Sequence, residues 1–281
     1  MLPQPKLDYP FFAYGIFKPG QIAYPRIEHY IKSMSPEDIK HEMFLRDGVP
    51  FISRDPDEYS RTSGFLMQFR EDSLADAYGV ICEVESEKLY YWKEIEVCGK
   101  PANALIGRKP SRSRPMGMGR NFDGSNDPYF NEAIEVISEG LEEYKKEMKK
   151  IREGSEEIRA YFRLQRNYIL MWAAIERYTS LKYGKNPETN NNKKLANEPI
   201  FRESLKRHIG EDEKRVIYRT DTLKRIPLDA DSPEDSIDYY YTIRCNIVHR
   251  GKTPYGKGEI VLKSLEELLA IFKDVLDNTF K

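Results

Sequence analysis

Short apolar runs separated by turn residues fill the first hundred or so positions, a pattern that predicts β-strands. The predicted strands are residues 11–15, 42–45, 64–69, 90–97 and 102–106. The dipeptide Asp47-Gly48 after the second of them is a strong hairpin-turn signal. A short helix is predicted near Ser73 to Cys82, between the third and fourth strands. This order of elements predicts an α+β domain.

The pattern changes at Asp127, after which apolar residues recur with the 3.6-residue period of an α-helix. Asp127 is a predicted helix cap, and Pro128 suits the first helical position. A break at Gly154 separates this helix from a second one, which ends near Tyr183 before Gly184. The middle of the second helix is apolar on most faces, so we expect it at the centre of a helical bundle.

The remaining chain also has helical patterns. Ser232 and Pro233 form a start signal for a helix that ends at Gly251. Ser264 and Glu267 have the spacing of a capping box and predict the start of the last helix. The sequence therefore predicts an all-α C-terminal half. Two further predictions are a polar loop at 190–194 and a short helix at 201–208.

Residues 109–127 separate the two patterns. Three glycines and two prolines in this stretch disfavour regular structure, so we predict a linker here. Its arginines at 112, 114 and 120 could contact phosphate groups if RNA binds. The predicted domains are then residues 1–108 and residues 128–281.

The composition is typical of a folded protein that is not embedded in a membrane. Of the 281 residues, 40% are hydrophobic and 32% are charged, and the mean hydropathy is -0.69. No apolar run approaches the roughly 20 residues that a membrane-spanning helix needs. Because the first residues carry neither a basic leader nor an apolar signal core, we expect a cytoplasmic protein with no membrane partner. Forty-five Lys and Arg residues against 46 Asp and Glu give a net charge of -1, so any nucleic-acid binding must be local.

The cysteines and histidines are few and scattered. Cys82, Cys98 and Cys245 have no CxxC spacing, which disfavours both a disulfide framework and a thiolate zinc site. The four histidines include no HExxH sequence. The sequence therefore predicts no metal and no other cofactor.

The string from Tyr241 to Lys252, YTIRCNIVHRGK, lies near the end of a predicted helix. It resembles the R-x4-6-H motif of the HEPN superfamily, with Arg244 and His249 at the two charged positions. HEPN domains usually have a polar residue after the arginine, where this chain has Cys245. The resemblance extends over the helices of residues 128–281 and implies a HEPN-type helical bundle.

This resemblance implies a metal-independent endoribonuclease that acts as a toxin or an antiviral effector. Histidine can move protons near neutral pH, and the arginine fork matches the oxygens of a phosphate. The resemblance therefore implies catalytic roles for Arg244, His249 and Asn246. The candidates for RNA binding are Arg250, Lys252 and Tyr241.

Five helical positions separate Arg244 from His249 by about 140° around the helix, so the two side chains do not share one narrow stripe. HEPN nucleases bring two copies of the motif together, and the resemblance therefore implies a homodimer. A second interpretation is structural: both residues lie at a helix end, with His249 near the C-terminal dipole and Arg244 paired with an acid. The tyrosines at 239–241 likewise fit either base stacking or a bundle core.

Residues 12–20, FAYGIFKPG, resemble the YGxL-type turn of the gamma-glutamylcyclotransferase-like superfamily, which includes the AIG2-like proteins. Weaker matches at 42–50, 64–69 and 91–97 follow the strand order of that family. The resemblance implies a small mixed β-barrel with a pocket for a small anionic ligand. The predicted lining includes Tyr14, Gly15, Ile16 and Phe17, since glycine has no Cβ to keep a ligand from the backbone N–H groups.

Active cyclotransferases use a glutamate as the acid and base for ring closure, placed just after a short helix. Glu85 matches that position best, and Glu83 is the neighbouring alternative. Cys82 stands where the family has an aspartate three residues before the glutamate. The non-catalytic interpretation is a solvated acidic turn, because Glu87 follows in the same stretch.

Three functions from different classes follow from these patterns. The first is a HEPN-type endoribonuclease with an N-terminal domain that senses a ligand or serves as a scaffold. The second is a gamma-glutamyl cyclotransferase-like enzyme with a helical appendage. The third is a binding protein without catalytic activity.

Overall fold

The computed structural model describes residues 4–108, 114–115, 121–149, 154–184, 186–210, 215–250 and 258–281, with only the backbone described at 154–156, 249 and 250. The chain divides into two compact units. The first unit contains residues 1–127 with 180–185 and Phe280, and the second contains 128–179, 186–279 and Lys281. The helices and strands confirm a mixed α+β protein.

Strands dominate the first unit. Its described elements are β1 (Phe11–Ala13), β2 (Ile31–Ile39), β3 (Met43–Arg46), β4 (Val49–Ile52), β5 (Thr62–Phe69), α1 (Leu74–Val84), β6 (Tyr90–Val97), β7 (Lys100–Gly107) and β8 (Arg114–Pro115). The five predicted strands and the predicted helix are all present, with boundaries that differ by a few residues.

The main sheet of this unit has the order β2-β5-β1-β7-β6. β1 is antiparallel to β5 and parallel to β7, whereas β6 and β7 form an antiparallel pair. β3 and β4 form a separate hairpin that β8 joins. No ladder joins the edge strands β2 and β6, so a closed barrel is not seen among the described strands. The two edges do approach each other, since the thiol of Cys98, after β6, donates to the Glu37 carboxylate of β2 at 2.7 Å.

An aromatic cluster lies between α1 and the main sheet. The ring of Tyr78 on α1 is 5.5 Å from both Phe69 and Trp92, and Trp92 is 5.8 Å from Phe11. Such edge-to-face pairs each contribute about 0.5 to 1.5 kcal/mol beyond the area that they bury. The hydroxyl of Tyr78 donates to the backbone oxygen of Tyr9 at 2.6 Å, which satisfies its polar end. This cluster fixes α1 and, with it, the residues that follow the helix.

β2 has no counterpart among the predicted strands. It pairs with β5 through eight residues, yet its sequence IKSMSPEDI is mostly polar and contains Pro36. Proline is tolerated because β2 is an edge strand, where half of the backbone N–H groups have no ladder partner. The strand lacks an apolar alternation because most of its residues are exposed or half-buried.

The described parts of the predicted linker belong to the first unit and contact its strands and turns. Arg114 and Pro115 form β8, paired with β3. Phe122 is buried, and its backbone oxygen accepts a hydrogen bond from Lys18 at 2.7 Å. The other two linker arginines, at 112 and 120, lie outside the described residues. The domain boundaries stay a prediction.

Helices dominate the rest of the chain. They are α2 (Glu132–Met148), α3 (Gly154–Tyr183), α4 (Glu188–Ala196), α5 (Pro199–His208), α6 (Pro233–Arg250) and α7 (Gly258–Thr279). The start of α6 at Pro233 is confirmed, and the hydroxyl of Ser232 donates to Asp235 at 2.7 Å. Gly184 has a φ of +81°, which explains why α3 ends at Tyr183.

Three predictions for this half are wrong. The predicted polar loop at 190–194 is part of α4, because Asn191 and Asn192 are buried on the inner face of that helix. Ser264 does not begin the last helix: α7 starts at Gly258, and Ser264 is a buried residue within it. The described residues at 128–131 form turns, so α2 begins at Glu132 rather than Pro128.

The predicted all-α character of the C-terminal half is also wrong, because the chain forms a hairpin between α5 and α6. β9 (Arg215–Tyr218) pairs antiparallel with β10 (Arg225–Leu228). Each strand has only four residues, too few to give a clear alternation. Tertiary interactions explain the hairpin. Arg215 of β9 pairs with the buried Glu267 of α7, and the side chain of Leu228 in β10 is fully buried.

Asp274 of α7 joins α5 to α7. One of its carboxylate oxygens accepts hydrogen bonds from Ser204 at 2.6 Å, Arg207 at 3.0 Å and His208 at 3.1 Å. Desolvation raises the pKa of Asp274, but the hydrogen bonds from Ser204 and His208 outweigh it, and the pKa lies below its ordinary value.

Candidate functional site

The turn after β1 carries four of the predicted pocket residues. Tyr14, Ile16 and Phe17 are buried, and the Tyr14 hydroxyl donates to the backbone oxygen of Leu105 at 2.6 Å. A Cβ added at Gly15 would lie 2.8 Å from Cγ of Pro50, so only glycine fits this close approach without a shift. Burial, and secondarily the charge of Glu85, raises the pKa of Tyr14 well above its ordinary value. Tyr14 is therefore a neutral, fixed wall of the pocket.

Glu85 is the C-cap residue of α1, and its backbone N–H donates to the oxygen of Ile81 at 2.9 Å. Its side chain lines a narrow pocket of about 10 Å³ together with all four residues of the turn after β1. Tyr90 closes another side, with its hydroxyl donating to the oxygen of Pro50 at 2.8 Å. The structure thus brings Glu85 together with the other predicted residues of the N-terminal pocket.

The Glu85 carboxylate makes no hydrogen bond and no ion pair with any described residue. Burial raises its pKa from 4.5 to about 8, and no neighbouring charge contributes to that shift. A carboxyl group with such a pKa can hold and release a proton near neutral pH, which is the requirement for general acid and base catalysis.

Glu83, the alternative in the sequence, lies elsewhere. Its carboxylate accepts a hydrogen bond from the guanidinium of Arg26 at 2.7 Å and is 40% exposed. The two glutamates therefore differ in what surrounds them: Glu83 has a cationic partner in solvent, whereas Glu85 lines the pocket without one.

A second cavity of about 20 Å³ adjoins the first and shares Glu85, Tyr90 and Leu105 as lining residues. It also touches Cys82 and Trp92. At these volumes each cavity has room for about one water molecule, so a larger ligand requires side chains around Glu85 to move. Glu85 is the carboxyl group common to both.

Lys18 fixes the other end of the turn after β1. It is almost fully buried, and its amine donates to Asn121 at 2.5 Å and to the backbone oxygen of Phe122 at 2.7 Å. Burial lowers the pKa of Lys18 to about 8, although the charge of Asp123 opposes this effect. Lys18 holds the turn in place and does not line the described pocket.

The second candidate site lies on α6. The Arg244 guanidinium donates to the carboxylate of Glu176 on α3 at 3.1 Å and lies 5.5 Å from the centre of the Tyr241 ring. The Tyr241 hydroxyl donates to Glu188 of α4 at 2.7 Å, and its ring packs edge-on against Trp172 at 5.3 Å. Arg244 therefore has the acidic partner of the structural interpretation.

The pKa of Glu176 is raised by desolvation and by the charge of Glu188, and the Arg244 guanidinium offsets part of this effect. Arg244 thus lies among two carboxylates and a tyrosine. A phosphate group that approached Arg244 would meet this negative charge as well.

Asn246 faces a different element. Its amide nitrogen donates to the oxygen of Tyr218 at 3.0 Å, and its amide oxygen accepts from the N–H of Thr220 at 3.1 Å. Asn246 therefore holds the end of the β9-β10 hairpin, whereas Arg244 contacts α3. The described contacts do not bring these two predicted catalytic residues together.

His249 and Arg250 lie on α6, and their side chains are outside the described part of the structure. Lys252 also lies outside the described residues. The placement of these three predicted residues of the endoribonuclease motif thus stays a prediction.

Sequence reasoning missed Glu176, Glu188, Pro50 and Tyr90. Tyr90 had a usable signal, since the alternation along β6 puts it on the same face as the buried Trp92. The other three had none, because their contacts join segments far apart in the sequence: Glu176 and Arg244 are separated by 68 positions.

Among the described residues, no group of three or more histidine, cysteine or acidic side chains could hold a metal ion. None of the helices, as far as they are described, is long and apolar enough to cross a membrane.

No known family model matches the chain, and no curated protein is similar to it in sequence. A similarity is found to the crystal structure of the uncharacterized protein PH0828 from Pyrococcus horikoshii. The two share 16% identity over 44% of this chain and 91% of that chain, with a TM-score of 0.28. A likeness this slight assigns neither a fold nor a function.

Proposed function

We propose that the first unit is an acid–base enzyme that acts on a small molecule, of the gamma-glutamyl cyclotransferase type. One observation carries the proposal: the Glu85 carboxyl lines a pocket, has no partner among the described residues and has a pKa raised to about 8. Strongly perturbed groups in a cleft are typical of catalytic sites. The resemblance of residues 12–20 to the cyclotransferase turn gives the reaction type.

In this reaction the α-amino nitrogen of a γ-glutamyl compound attacks the γ-carbonyl carbon of the same molecule. A ring C–N bond forms, and the bond to the leaving amine breaks. Glu85 accepts the proton of the attacking nitrogen and returns it to the leaving nitrogen, so that 5-oxoproline and a free amine result. The balance needs no oxidant and no other reactant.

The turn after β1 supplies binding rather than proton transfer in this proposal. The Tyr14 hydroxyl already donates to Leu105, so Tyr14 shapes the pocket. Gly15 leaves the backbone open to a carboxylate of the substrate, and Ile16 and Phe17 exclude water around the reacting carbonyl.

The test measures release of 5-oxoproline from a panel of γ-glutamyl dipeptides and γ-glutamyl amines by the full-length protein. Glu85→Gln should lower the rate by about a hundredfold to ten-thousandfold, the usual effect of removing a positioned proton-transfer group. Glu83→Gln is the matched control and should keep the wild-type rate, because Glu83 pairs with Arg26 outside the pocket.

The rate should also rise with pH towards about 8, as the Glu85 carboxyl loses its proton and can act as a base. Turnover that survives Glu85→Gln, or that is lost equally in both variants, would contradict the assignment. A folded protein that turns over none of the panel would favour a binding role for the pocket.

A second proposal concerns the second unit: a HEPN-type, metal-independent endoribonuclease that acts as a homodimer, with the first unit as a ligand-sensing or scaffolding domain. It is favoured by the continuity of α6, which carries Arg244, Asn246 and His249 on one helix. Arg244 is only 20% exposed, and its pairing with Glu176 would have to open or reorient when a phosphate binds.

The test of this second proposal is RNA cleavage by the purified protein, with sedimentation to establish the dimer. His249→Ala and Arg244→Ala should each reduce cleavage by about a hundredfold or more. Chelator should have no effect, and cleavage should weaken as salt rises. Intact RNA, or activity that survives His249→Ala, would contradict the nuclease.

A further inference from the structure

A cleft runs along the outer edge of β6 in the first unit. It has a volume of about 590 Å³ and is lined by basic side chains that are distant from one another in the sequence. We define the β6 cleft by Lys6, Arg54, Tyr91, Lys93, Glu94 and Arg108. It adjoins the cavity beside Glu85, with which it shares Tyr91 and Trp92, but none of its charged residues lines that cavity.

Among the described residues, none pairs with the backbone along the outer side of β6. β6 is the last strand of the main sheet, and its partner β7 lies on its other side. Beyond the ends of the two strands, the backbone N–H of Arg108 donates to the backbone oxygen of Leu89. This hydrogen bond continues the antiparallel register of β6 and β7. By that register Tyr91 and Lys93 bond to β7, so the N–H and C=O groups of Trp92 and Glu94 point away from the sheet.

Positive charges lie on both faces of this edge. Side chains alternate along a strand, so Glu94 is on one face and Lys93 is on the other. Lys6 pairs with Glu94 at 2.7 Å on the first face. On the second face, the Lys93 amine donates to the backbone oxygen of Arg54.

The cleft carries a net positive charge. Four cationic side chains line it, and Glu94 is the acidic residue among the lining residues. Asp55 lies nearby, 3.5 Å from Lys93 and 4.0 Å from Arg54, and is 79% exposed. The whole chain has a net charge of -1, so this concentration of positive charge is a local feature.

Arg108 is held in a fixed orientation. Its Nε donates to the oxygens of Glu87 at 2.8 Å and Tyr90 at 3.2 Å, and its guanidinium lies 5.4 Å from the centre of the Tyr91 ring. Its terminal nitrogens make no hydrogen bond with a described residue. An arginine positioned in this way is ready to bind a carboxylate.

We propose that the β6 cleft binds an acidic segment of a partner protein, which extends along β6 and adds a strand to the sheet. The unpaired backbone groups of Trp92 and Glu94 bond to the backbone of the segment. Its alternate side chains point to the two faces, where the four cations bind carboxylates.

A peptide fits this cleft better than a nucleic acid does. Single-stranded nucleic acids are bound through open aromatic faces on which bases stack. The aromatic ring of Tyr91 is half-buried and has Arg108 beside it. The unpaired strand edge, in contrast, has the spacing of donors and acceptors that another strand requires.

The experiment uses the full-length protein and a fluorescein-labelled peptide of alternating Glu and Val, about as long as β6, at about 0.1 M salt. Anisotropy should show saturable binding. The matched peptide is methylated on alternate backbone nitrogens, which keeps its charge but removes the donors for strand pairing. We expect it to bind at least about tenfold more weakly, which corresponds to about 1.4 kcal/mol.

Two variant pairs locate the binding. Arg54→Glu should weaken it about fivefold or more by reversing an exposed charge in the cleft. The control is Lys32→Glu on β2, which makes the same change at the opposite edge of the sheet and should have no effect.

Glu94→Pro removes a backbone N–H that points outward within the cleft, so it should also weaken binding of the peptide. The control is Glu96→Pro, which removes the next outward N–H, beyond the residues that line the cleft, and should leave binding unchanged. If Glu94→Pro fails to fold by circular dichroism, the first pair of variants decides. Equal binding of the methylated peptide would overturn strand pairing. An equal loss in Lys32→Glu, or tighter binding of a single-stranded oligonucleotide that Arg54→Glu abolishes, would overturn the peptide site.

Discussion

Replacing Glu85 by glutamine should stabilise the first unit at alkaline pH and leave its stability unchanged in acid. The carboxyl lines the pocket and has no partner among the described residues. When it ionises, its negative charge is therefore stabilised only by the solvent that reaches it. Glutamine has nearly the same shape and carries no charge at any pH. The difference between the two proteins therefore isolates the free energy of ionising Glu85 in the folded state.

The direction follows from the two pKa values. Glu85 has a pKa of 4.5 in an unfolded chain and of about 8 in the folded one. Between these values the folded state keeps a proton that the unfolded state has lost, so the stability contributed by this residue falls as pH rises. Below about pH 4.5 the wild type and Glu85→Gln should be equally stable. Above about pH 8 the gap should be constant.

The size of the gap has a ceiling of about 5 kcal/mol, from about 1.36 kcal/mol for each pKa unit. Glu85 is half-buried rather than fully buried, so water screens part of the penalty. We therefore expect Glu85→Gln to be more stable than the wild type by about 1 to 3 kcal/mol at pH 9. Lys18, with a pKa lowered to about 8, also titrates in this range, but it is present in both proteins and cancels.

The assay is urea unfolding at a series of pH values. The chain has two tryptophans, Trp92 in the first unit and Trp172 in the second. In a Trp172→Phe background the fluorescence follows the first unit alone. The matched control is Glu83→Gln, which should show no such gain, because it removes the partner of Arg26 rather than an unpaired charge.

If the difference in free energy of unfolding between the wild type and Glu85→Gln did not change with pH, it would contradict the raised pKa of Glu85. The raised pKa would also be refuted if carbon NMR of the Glu85 carboxyl showed a titration midpoint near 4.5, because the burial that raises the pKa would then be absent in solution.

Four further substitutions test the fold. Asp274→Asn should destabilise the second unit by about 1 to 3 kcal/mol, because three donors lose a charged acceptor. In urea unfolding the difference should shrink as pH falls below the ordinary aspartate pKa of 3.8 and vanish below the lowered pKa of the folded state. Gly64→Ala should lower the free energy of unfolding of the first unit by about 1 to 3 kcal/mol, since the added Cβ would lie 2.6 Å from the backbone oxygen of Ala13. At Gly79 an added Cβ would have no heavy atom within 4 Å, so Gly79→Ala should stabilise α1 by up to about 1 kcal/mol in the same measurement. Asn246→Ala removes two hydrogen bonds from the end of the β9-β10 hairpin, and amide exchange there should accelerate by roughly fivefold to thirtyfold, for a loss of about 1 to 2 kcal/mol.

Elements with strong local signals could be predicted from the sequence. β6 is rich in aromatic and β-branched residues and ends at a turn, and its predicted range of 90–97 is confirmed. The same holds for α6, which begins at Pro233 after a capping serine. In both cases the residues that define the element are neighbours in the sequence.

Elements that depend on tertiary contacts could not be predicted. β2 is exposed and contains Pro36, so its pairing with β5 leaves no apolar pattern in its own sequence. Asn191 and Asn192 suggest a loop by composition, yet both are buried in α4. The capping-box spacing at Ser264 is matched by chance within a longer helix.

The candidate sites show the same limit. Glu83 and Glu85 are two positions apart, and the sequence left both open. The end of α1 decides between them, because the backbone of Glu85 leaves the helix as its C-cap with ψ at 123°. Its side chain then lines the pocket, whereas Glu83, still within α1, pairs with Arg26.

The charged residues of the two candidate sites differ in whether they have an ion-pair partner. For this reason we favour the pocket around Glu85 over the α6 motif as the functional site. Arg244 pairs with Glu176, and that contact accounts for its position without any ligand. No comparable contact explains the position of the Glu85 carboxyl. When it ionises, its charge lacks a partner in the pocket and destabilises the fold. A glutamine of almost the same volume would avoid this loss of stability. Groups that oppose stability in this way are found where a reaction uses them. The unpaired carboxyl therefore supports the proposal that Glu85 is the group that acts on a ligand.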